Sequence, residues 1–331
     1  MKLGSLELGR IFLAPLAGIS DSAFRTICKR FGADTVYTEM VSSEGLSREN
    51  ERSVELLKFR DEERPVGIQL FGRDPGRMAA SARQVESLRP DLIDLNFACP
   101  ARRIVNRGGG CALMREPGTV GRIASAVVEA TDLPVTAKIR IGWDNESINA
   151  VEIVRVLEDA GVKAVAIHGR TYRQGFKGVS SWEEVARVKR DSGIPVILSG
   201  DVTSPELAER AFDETGCDAV MIGRGVYGRP WLFKAIKAHL RGEPFTPPGF
   251  ERLRRVVLDH VDLAIAHLGE DTAVMRFRKH LLWYTKGLPG VVALRPAVSR
   301  LWTRQAVVEM LDRLSENLEN LASSEAADGK R

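Results

Sequence analysis

Leu92-Ile93-Asp94-Leu95-Asn96-Phe97-Ala98-Cys99-Pro100 is the stretch on which the fold turns. Residues 92–95 read as a short buried strand, and Asn96 and Cys99 fall where that strand runs out into a loop. Pro100 keeps a helix from starting at once, because it has no N–H and restricts the residue before it. A thiol just past a strand's carboxyl end, beside an amide, sits where α/β proteins place their chemistry. The position alone fits a small apolar core residue equally well, since free Cys is among the most buried residue types.

The same phrase recurs along the chain. Short β-branched runs at 11–14, 35–38, 66–70, 92–95, 135–139, 164–167, 196–198 and 219–222 alternate with helical patterns. Ser204-Pro205-Glu206 supplies an N-cap and a first-turn proline, and Gly216 closes that helix. Ser181-Trp182-Glu183-Glu184 opens another, which ends near Gly193-Ile194-Pro195. Eight such units predict an α/β chain, a (β/α)8 TIM barrel of parallel strands. An open doubly wound sheet would need a Gly-rich first βα turn, and Leu13-Ala14-Pro15-Leu16-Ala17-Gly18 has no G-x-G-x-x-G.

The strand ends carry the chemistry. In order they are Pro15/Ala17, Glu39/Met40, Gln69, Asn96/Cys99, Lys138/Arg140, His168/Arg170, Ser199/Asp201 and Gly223/Arg224. A barrel brings all of them to one rim, which makes a single polar pocket. Ser199-Gly200-Asp201 and Gly223-Arg224-Gly225 follow the seventh and eighth strands, the usual phosphate position of this fold. Burying Lys138 is costly without an anionic partner. A reduced flavin or a neighbouring carboxylate would each meet that need. Beyond Cys99 come Arg102, Arg103 and Arg107, then Gly108-Gly109-Gly110. This is either a glycine-hinged basic lid over a polyanion or a plain solvated loop.

At 331 residues the chain makes one large domain or two. No apolar run has the length of a membrane span, and the first ten residues lack a signal peptide's apolar core. Cys28, Cys99, Cys111 and Cys217 form no C-x-x-C pair, so zinc and iron–sulfur sites lack their usual spacing and no metal is expected. A cytoplasmic monomer with reduced thiols is expected. The net charge of +4 is uneven. Residues 229–304 hold 14 basic against 6 acidic side chains, a surplus of +8. The strand pattern stops past Arg229-Pro230-Trp231, and Glu243-Pro244-Phe245-Thr246-Pro247-Pro248-Gly249 reads as a linker. Helical periodicity over 251–268, 272–286 and 298–321 then predicts a smaller all-α bundle of about four helices. The expected units are a barrel at 1–242, a bundle at 243–322 and a disordered tail at 323–331. Arg252, Arg254, Arg255, Arg276, Arg278 and Lys279 are candidate phosphate contacts, while Trp283 and Tyr284 are assigned to the core.

With these residues in view, the chain resembles the tRNA-dihydrouridine synthases, most of all their bacterial B-type branch. The resemblance rests on Ala14-Pro15-Leu16-Ala17-Gly18-Ile19-Ser20-Asp21, Thr38-Glu39-Met40-Val41, Val66-Gly67-Ile68-Gln69, the stretch from Asp94 to Pro100, Lys138-Ile139-Arg140, His168-Gly169-Arg170-Thr171, Ser199-Gly200-Asp201 and Gly223-Arg224. Arg278-Lys279-His280 and Trp283-Tyr284 resemble the family's C-terminal helical domain. The resemblance implies an FMN-dependent oxidoreductase that reduces the C5–C6 bond of tRNA uridines, with the D-loop as the expected location. NADPH or NADH would be the reductant. It implies FMN contacts from Pro15, Leu16, Ala17, Gln69, Lys138, His168, Ser199, Gly200, Asp201, Gly223 and Arg224. Asn96 would orient the uracil, Cys99 would donate the proton to C5, and Arg140, Arg170, Arg276, Arg278 and Lys279 would contact the RNA. The chain departs from the family pattern at Ala98, where the family has Gly, at Ser199, where it has Asn, and at Cys111, which replaces a small residue. The competing readings are a flavin-dependent reductase of a free pyrimidine, of the dihydroorotate-dehydrogenase kind, and a non-catalytic RNA-binding barrel. The basic C-terminal third speaks against the first and the complete set of polar strand ends against the second.

Overall fold

A computed structural model describes residues 1–328 of the chain. Eight short strands form a parallel barrel: β1 (Ile11–Leu13), β2 (Val36–Tyr37), β3 (Val66–Phe71), β4 (Leu92–Asn96), β5 (Val135–Arg140), β6 (Ala164–His168), β7 (Val196–Ser199) and β8 (Ala219–Ile222). Their hydrogen-bonded order is β1-β8-β7-β6-β5-β4-β3-β2. A parallel bridge between Phe12 and Thr35 brings β1 to β2 and completes the ring. The TIM-barrel fold is therefore present. Helices α1 (Ser22–Arg30), α2 (Pro75–Glu86), α3 (Pro117–Val128), α4 (Ala150–Asp159), α5 (Trp182–Asp191), α6 (Pro205–Thr215) and α7 (Leu232–Leu240) follow every strand but β2. After β2 the chain instead makes a two-residue strand, Val41–Ser42, paired with the far half of β3, and the short helices Ser43–Leu46 and Glu51–Glu55.

Strand periodicity of two explains the layers. Ile68, Leu70, Ile93, Leu95, Ala137, Ile139, Val165 and Ile167 point outward and are buried against the helices. Burying each large one contributes about 1.5–3 kcal/mol. Phe12, Tyr37, Leu92, Ala164, Ala166, Ile197 and Met221 form a separate cluster inside the ring. A hairpin of Lys2–Leu3 and Leu6–Glu7 tucks Leu3 and Leu8 against this inner cluster. Helix starts follow their local chemistry. Asp21, Asp74, Ser181 and Ser204 each accept a hydrogen bond from a first-turn N–H, and Pro75, Pro117 and Pro205 occupy first-turn positions. Gly216, at φ 64°, closes α6.

Past the coil that leaves α7, helices α8 (Phe250–Leu268), α9 (Glu270–Tyr284), α10 (Val291–Val298) and α11 (Arg304–Asp328) form the C-terminal bundle. Its core contains Val257, Val261, Phe277, Leu281, Leu311 and Leu314, together with Ile27 from α1. On the same helix Phe24 packs against His260 and His280 at centroid distances of 5.6 and 5.1 Å. Helix α1 thus belongs to both cores and fixes the bundle to the barrel. Tyr284 is buried, with its hydroxyl 3.1 Å from His260 Nδ1. Trp283 is only half-buried and stacks on Tyr227 at 4.2 Å. Helix α11 continues to Asp328, and the remainder of the expected tail, 329–331, lies outside the described residues. No helix among the described residues is long and apolar enough to cross a membrane.

Candidate active site

Register decides which polar residues meet. Gln69 pairs with Asp94 and Asp94 with Thr136; one level up, Asn96 pairs with Lys138. At the rim Arg140 pairs with His168 and His168 with Ser199. Registered neighbours share a face, and these rows run into the inner cluster through Ala166 and Met221, so all of them point into the barrel. The floor is apolar and the upper levels are polar.

Above them lies a cavity of about 340 Å³. Its walls include Pro15, Leu16, Ala17, Gln69, Asn96, Cys99, Lys138, Arg140, His168, Ser199, Gly200, Asp201, Gly223 and Arg224. Met40, Ala98, Phe176, Thr203 and Tyr227 also line it. Sequence reasoning passed over Phe176, which carries the guanidinium groups of Arg140 and Arg224 at 5.5 and 5.3 Å from its ring centre. A lone aromatic in a Gly-rich loop was the available signal.

Lys138 is buried, and among the described residues its side-chain Nζ makes neither a hydrogen bond nor a salt bridge. Burial, and then the nearby Arg140 charge, lowers its pKa to about 8. Burial first, and then Lys138 and Arg140, push the His168 imidazole well below its ordinary value, so it is neutral, and its Nδ1 is buried without a partner. Asp94, at the centre of the ring, accepts from Gln69 Nε2 at 2.6 Å and from Thr136 Oγ1 at 2.7 Å. Burial raises its carboxyl to about 6 against those bonds.

Cys99 reaches the cavity wall at 9% exposure, and burial raises its thiol pKa. The thiol is therefore protonated at neutral pH. Asn96 Oδ1 accepts from the backbone N–H of Ala98 and Cys99 at 3.0 and 2.9 Å. The Ala98 carbonyl accepts from Cys111 Sγ at 2.9 Å and from Arg140 Nε at 3.0 Å. Cys111, which the sequence left without a role, is thus a buried fastener of the Cys99 loop. Ala98 is absent from the positive-φ residues, so the methyl that replaces a glycine hydrogen meets no backbone penalty there. Within the loop Arg102–Val105 is helical and Gly110–Arg115 forms a 3₁₀ turn, with Gly108 and Gly110 at φ 74° and 55°.

Several long cations lie elsewhere than expected. Arg170 is buried away from the cavity, where it bonds both oxygens of Asp201 at 2.8 and 2.7 Å and the Lys177 and Gly178 carbonyls. It ties the loop after β6 to the loop after β7 and does not line the cavity. Arg140 does line the cavity, but its Nε and Nη1 donate to Ala98, Thr171 and Gly175 carbonyls. Arg278 donates twice to the Leu301 carbonyl and lies 4.3 Å over the Trp302 ring. Lys279 bonds the Gly18 carbonyl, and Gly18 N–H in turn bonds Glu39, which ties α9 to the barrel rim. Arg254 pairs with Asp312 at 2.7 Å. Arg252, Arg255 and Arg276 are exposed.

A family model described as dihydrouridine synthase matches residues 12–322. The chain is 40% identical over 306 residues to the tRNA-dihydrouridine synthase B of Pseudomonas aeruginosa, spanning 91% of both chains. It is 39% identical over 302 residues to a probable tRNA-dihydrouridine synthase of Rickettsia bellii, covering 90% of this chain and 93% of that one. Among solved structures it is similar in fold to a histamine dehydrogenase from Rhizobium sp. 4-9. There the TM-score is 0.57 at 13% identity, over 80% of this chain and 50% of that one. It is also similar to a variant of NCR from Zymomonas mobilis, with TM-score 0.53 at 16% identity, over 76% of this chain and 92% of that one.

Proposed function

The chain belongs to the dihydrouridine synthase family, and from that premise we propose that it reduces uridines of tRNA to 5,6-dihydrouridine with a bound FMN and NADPH as the reductant. The observation that carries this reading is the cavity's set of unmet partners. A buried Lys138 ammonium with no direct salt bridge, an orphaned His168 Nδ1 and a protonated Cys99 thiol converge on one space. Such uncompensated groups call for an anionic, acceptor-rich ligand. Gly200, at φ 118° on the cavity wall, has no room for a side chain, because a Cβ there would meet Ser180 Oγ at 2.4 Å.

Lys138, His168 and Gln69 would hold the ring system, while Ser199, Gly200, Gly223 and Arg224 would hold the phosphate. FMN held there supplies hydride for C6 of the uracil ring. Asn96 orients the base, and Cys99 Sγ holds the proton destined for C5. The raised pKa suits that role, since an acid must keep its proton until it is needed. Exposed Arg252, Arg255 and Arg276 would contact tRNA phosphates, which needs only a basic surface of suitable shape. Action on tRNA as a cytoplasmic monomer completes the reading. Mass spectrometry of tRNA from a strain lacking the gene tests it. Loss of dihydrouridine at one or more positions is expected; an unchanged dihydrouridine content refutes the assignment.

A further inference from the structure

Asp94 does not line the cavity, yet four residues that do depend on it. Its Oδ2 accepts from Gln69 Nε2, Gln69 Oε1 accepts from Asn96 Nδ2 at 2.7 Å, and Asn96 Oδ1 accepts from the N–H groups of Ala98 and Cys99. The two ends of this chain have fixed chemistry: a carboxylate only accepts and a backbone N–H only donates. Each carboxamide between them therefore has one possible orientation. Gln69 must turn its NH2 down to Asp94, and Asn96 must turn its oxygen toward the Cys99 amide. Beyond this chain Gln69 keeps one N–H, Asn96 turns its second N–H to the weak acceptor Met40 Sδ at 3.7 Å, and both residues line the cavity. The wall therefore offers donors, suited to carbonyl oxygens.

We propose that Asp94 is a positioning residue that, through Gln69 and Asn96, sets the hydrogen-bond direction of the cavity wall and holds the Cys99 loop in place. It acts as a buried acceptor at one point, not through its charge and not by touching substrate. The alternative is electrostatic, because Lys138 is the nearby cation that favours its ionised form. Thr136 makes the two separable. Its hydroxyl now donates to Asp94 Oδ1, but it can turn and accept. In Asp94→Asn the carbonyl can still accept from Gln69 while the amide donates to Thr136, so direction survives and charge is lost. In Asp94→Ala both are lost.

The inference rests on the proposed reading only for its catalytic consequence, so the test has two arms. Amide hydrogen exchange at Ala98 and Cys99 reads loop positioning without any turnover. Dihydrouridine formation in tRNA, with flavin content and NADPH-driven flavin reduction as controls, reads the consequence. Asp94→Ala is expected to speed exchange at those two amides about tenfold or more and to lower dihydrouridine formation by more than any accompanying loss of flavin content or flavin reduction. Asp94→Asn should stay within a few-fold of the parent in both arms. Asp94→Ser, whose hydroxyl stops short of Gln69, takes the place of Asp94→Ala should that variant not fold. Equal damage from Asp94→Asn and Asp94→Ala overturns the proposal in favour of charge. Unchanged exchange in Asp94→Ala, or in Asp94→Ser where it stands in, overturns it outright. A parent enzyme that makes no dihydrouridine refutes the functional reading alone and leaves the exchange arm to decide this one.

Discussion

Cys99 and Cys111 share a loop, and their surroundings set them to different work. Cys111 is enclosed, donates to the Ala98 carbonyl and has its thiol pushed up to about 12. Cys99 faces the cavity with a raised thiol of its own. Cys99→Ala should lower dihydrouridine formation by about 10²–10⁴-fold while flavin reduction by NADPH proceeds unchanged. Full activity in that variant would remove Cys99 from the chemistry. Because its pKa lies above the ordinary 9.0, the rate should hold through neutral pH and fall only in alkali as the proton is lost. A pH profile that already declines near neutrality would contradict a protonated acid. Asp94 titrates with the opposite consequence for stability. Its folded pKa lies above its unfolded 3.8, so its favourable contribution is complete below that pH and is lost as pH rises through about 6. The melting temperature of Asp94→Asn relative to the parent should therefore climb across that window; a flat difference would argue against the burial penalty.

Among the elements, the segment between β4 and α3 shows how backbone holds the thiol in place. Gly110 sits at φ 55°, and a Cβ there would lie 2.6 Å from the Cys99 carbonyl oxygen. Gly110→Ala should cost about 1–2 kcal/mol in strain and reduce activity by displacing Cys99; a melting temperature and activity equal to the parent would refute that close approach. On the other side of the barrel Glu63 is wholly buried and takes hydrogen bonds from Arg25, Ser22 and the Arg60 amide. Glu63→Ala leaves the Arg25 charge buried and unpaired, so a loss of about 3–5 kcal/mol in denaturant unfolding is expected. The strands were legible because their outward residues alternate with inward ones, which leaves a β-branched rhythm. The apolar rhythm ends one residue short of each strand's end, at Asn96, Arg140, His168 and Ser199, since a polar residue looks like the end of an apolar strand. In a barrel those polar positions are the inward-facing top level. The hairpin at the barrel floor and the strand Val41–Ser42 left no such rhythm.

For the whole molecule, the family and the pocket were legible, while the destinations of long cations were not. Arg170, Arg278 and Lys279 look alike in sequence, and only their tertiary partners decide that each serves the protein's own carbonyls or carboxylates. Arg276 is exposed on the same helix, so the two arginines should separate experimentally. Arg276→Glu should weaken tRNA binding and reduce the salt dependence by about one phosphate's worth. Arg278→Glu should lower the melting temperature first, through loss of the Leu301 anchor. Equal effects of the two on binding at unchanged stability would contradict this division. The shared helix α1 adds a constraint, because the bundle cannot shift over the cavity without disturbing Phe24 and Ile27 in both cores. The most direct test of the account is incubation of the FMN-loaded protein and NADPH with unmodified tRNA, followed by nucleoside mass spectrometry. The account predicts uridines heavier by two hydrogens with the parent protein and about 10²–10⁴-fold fewer with Cys99→Ala; unreduced tRNA from a flavin-loaded parent whose flavin is reduced by NADPH would contradict it.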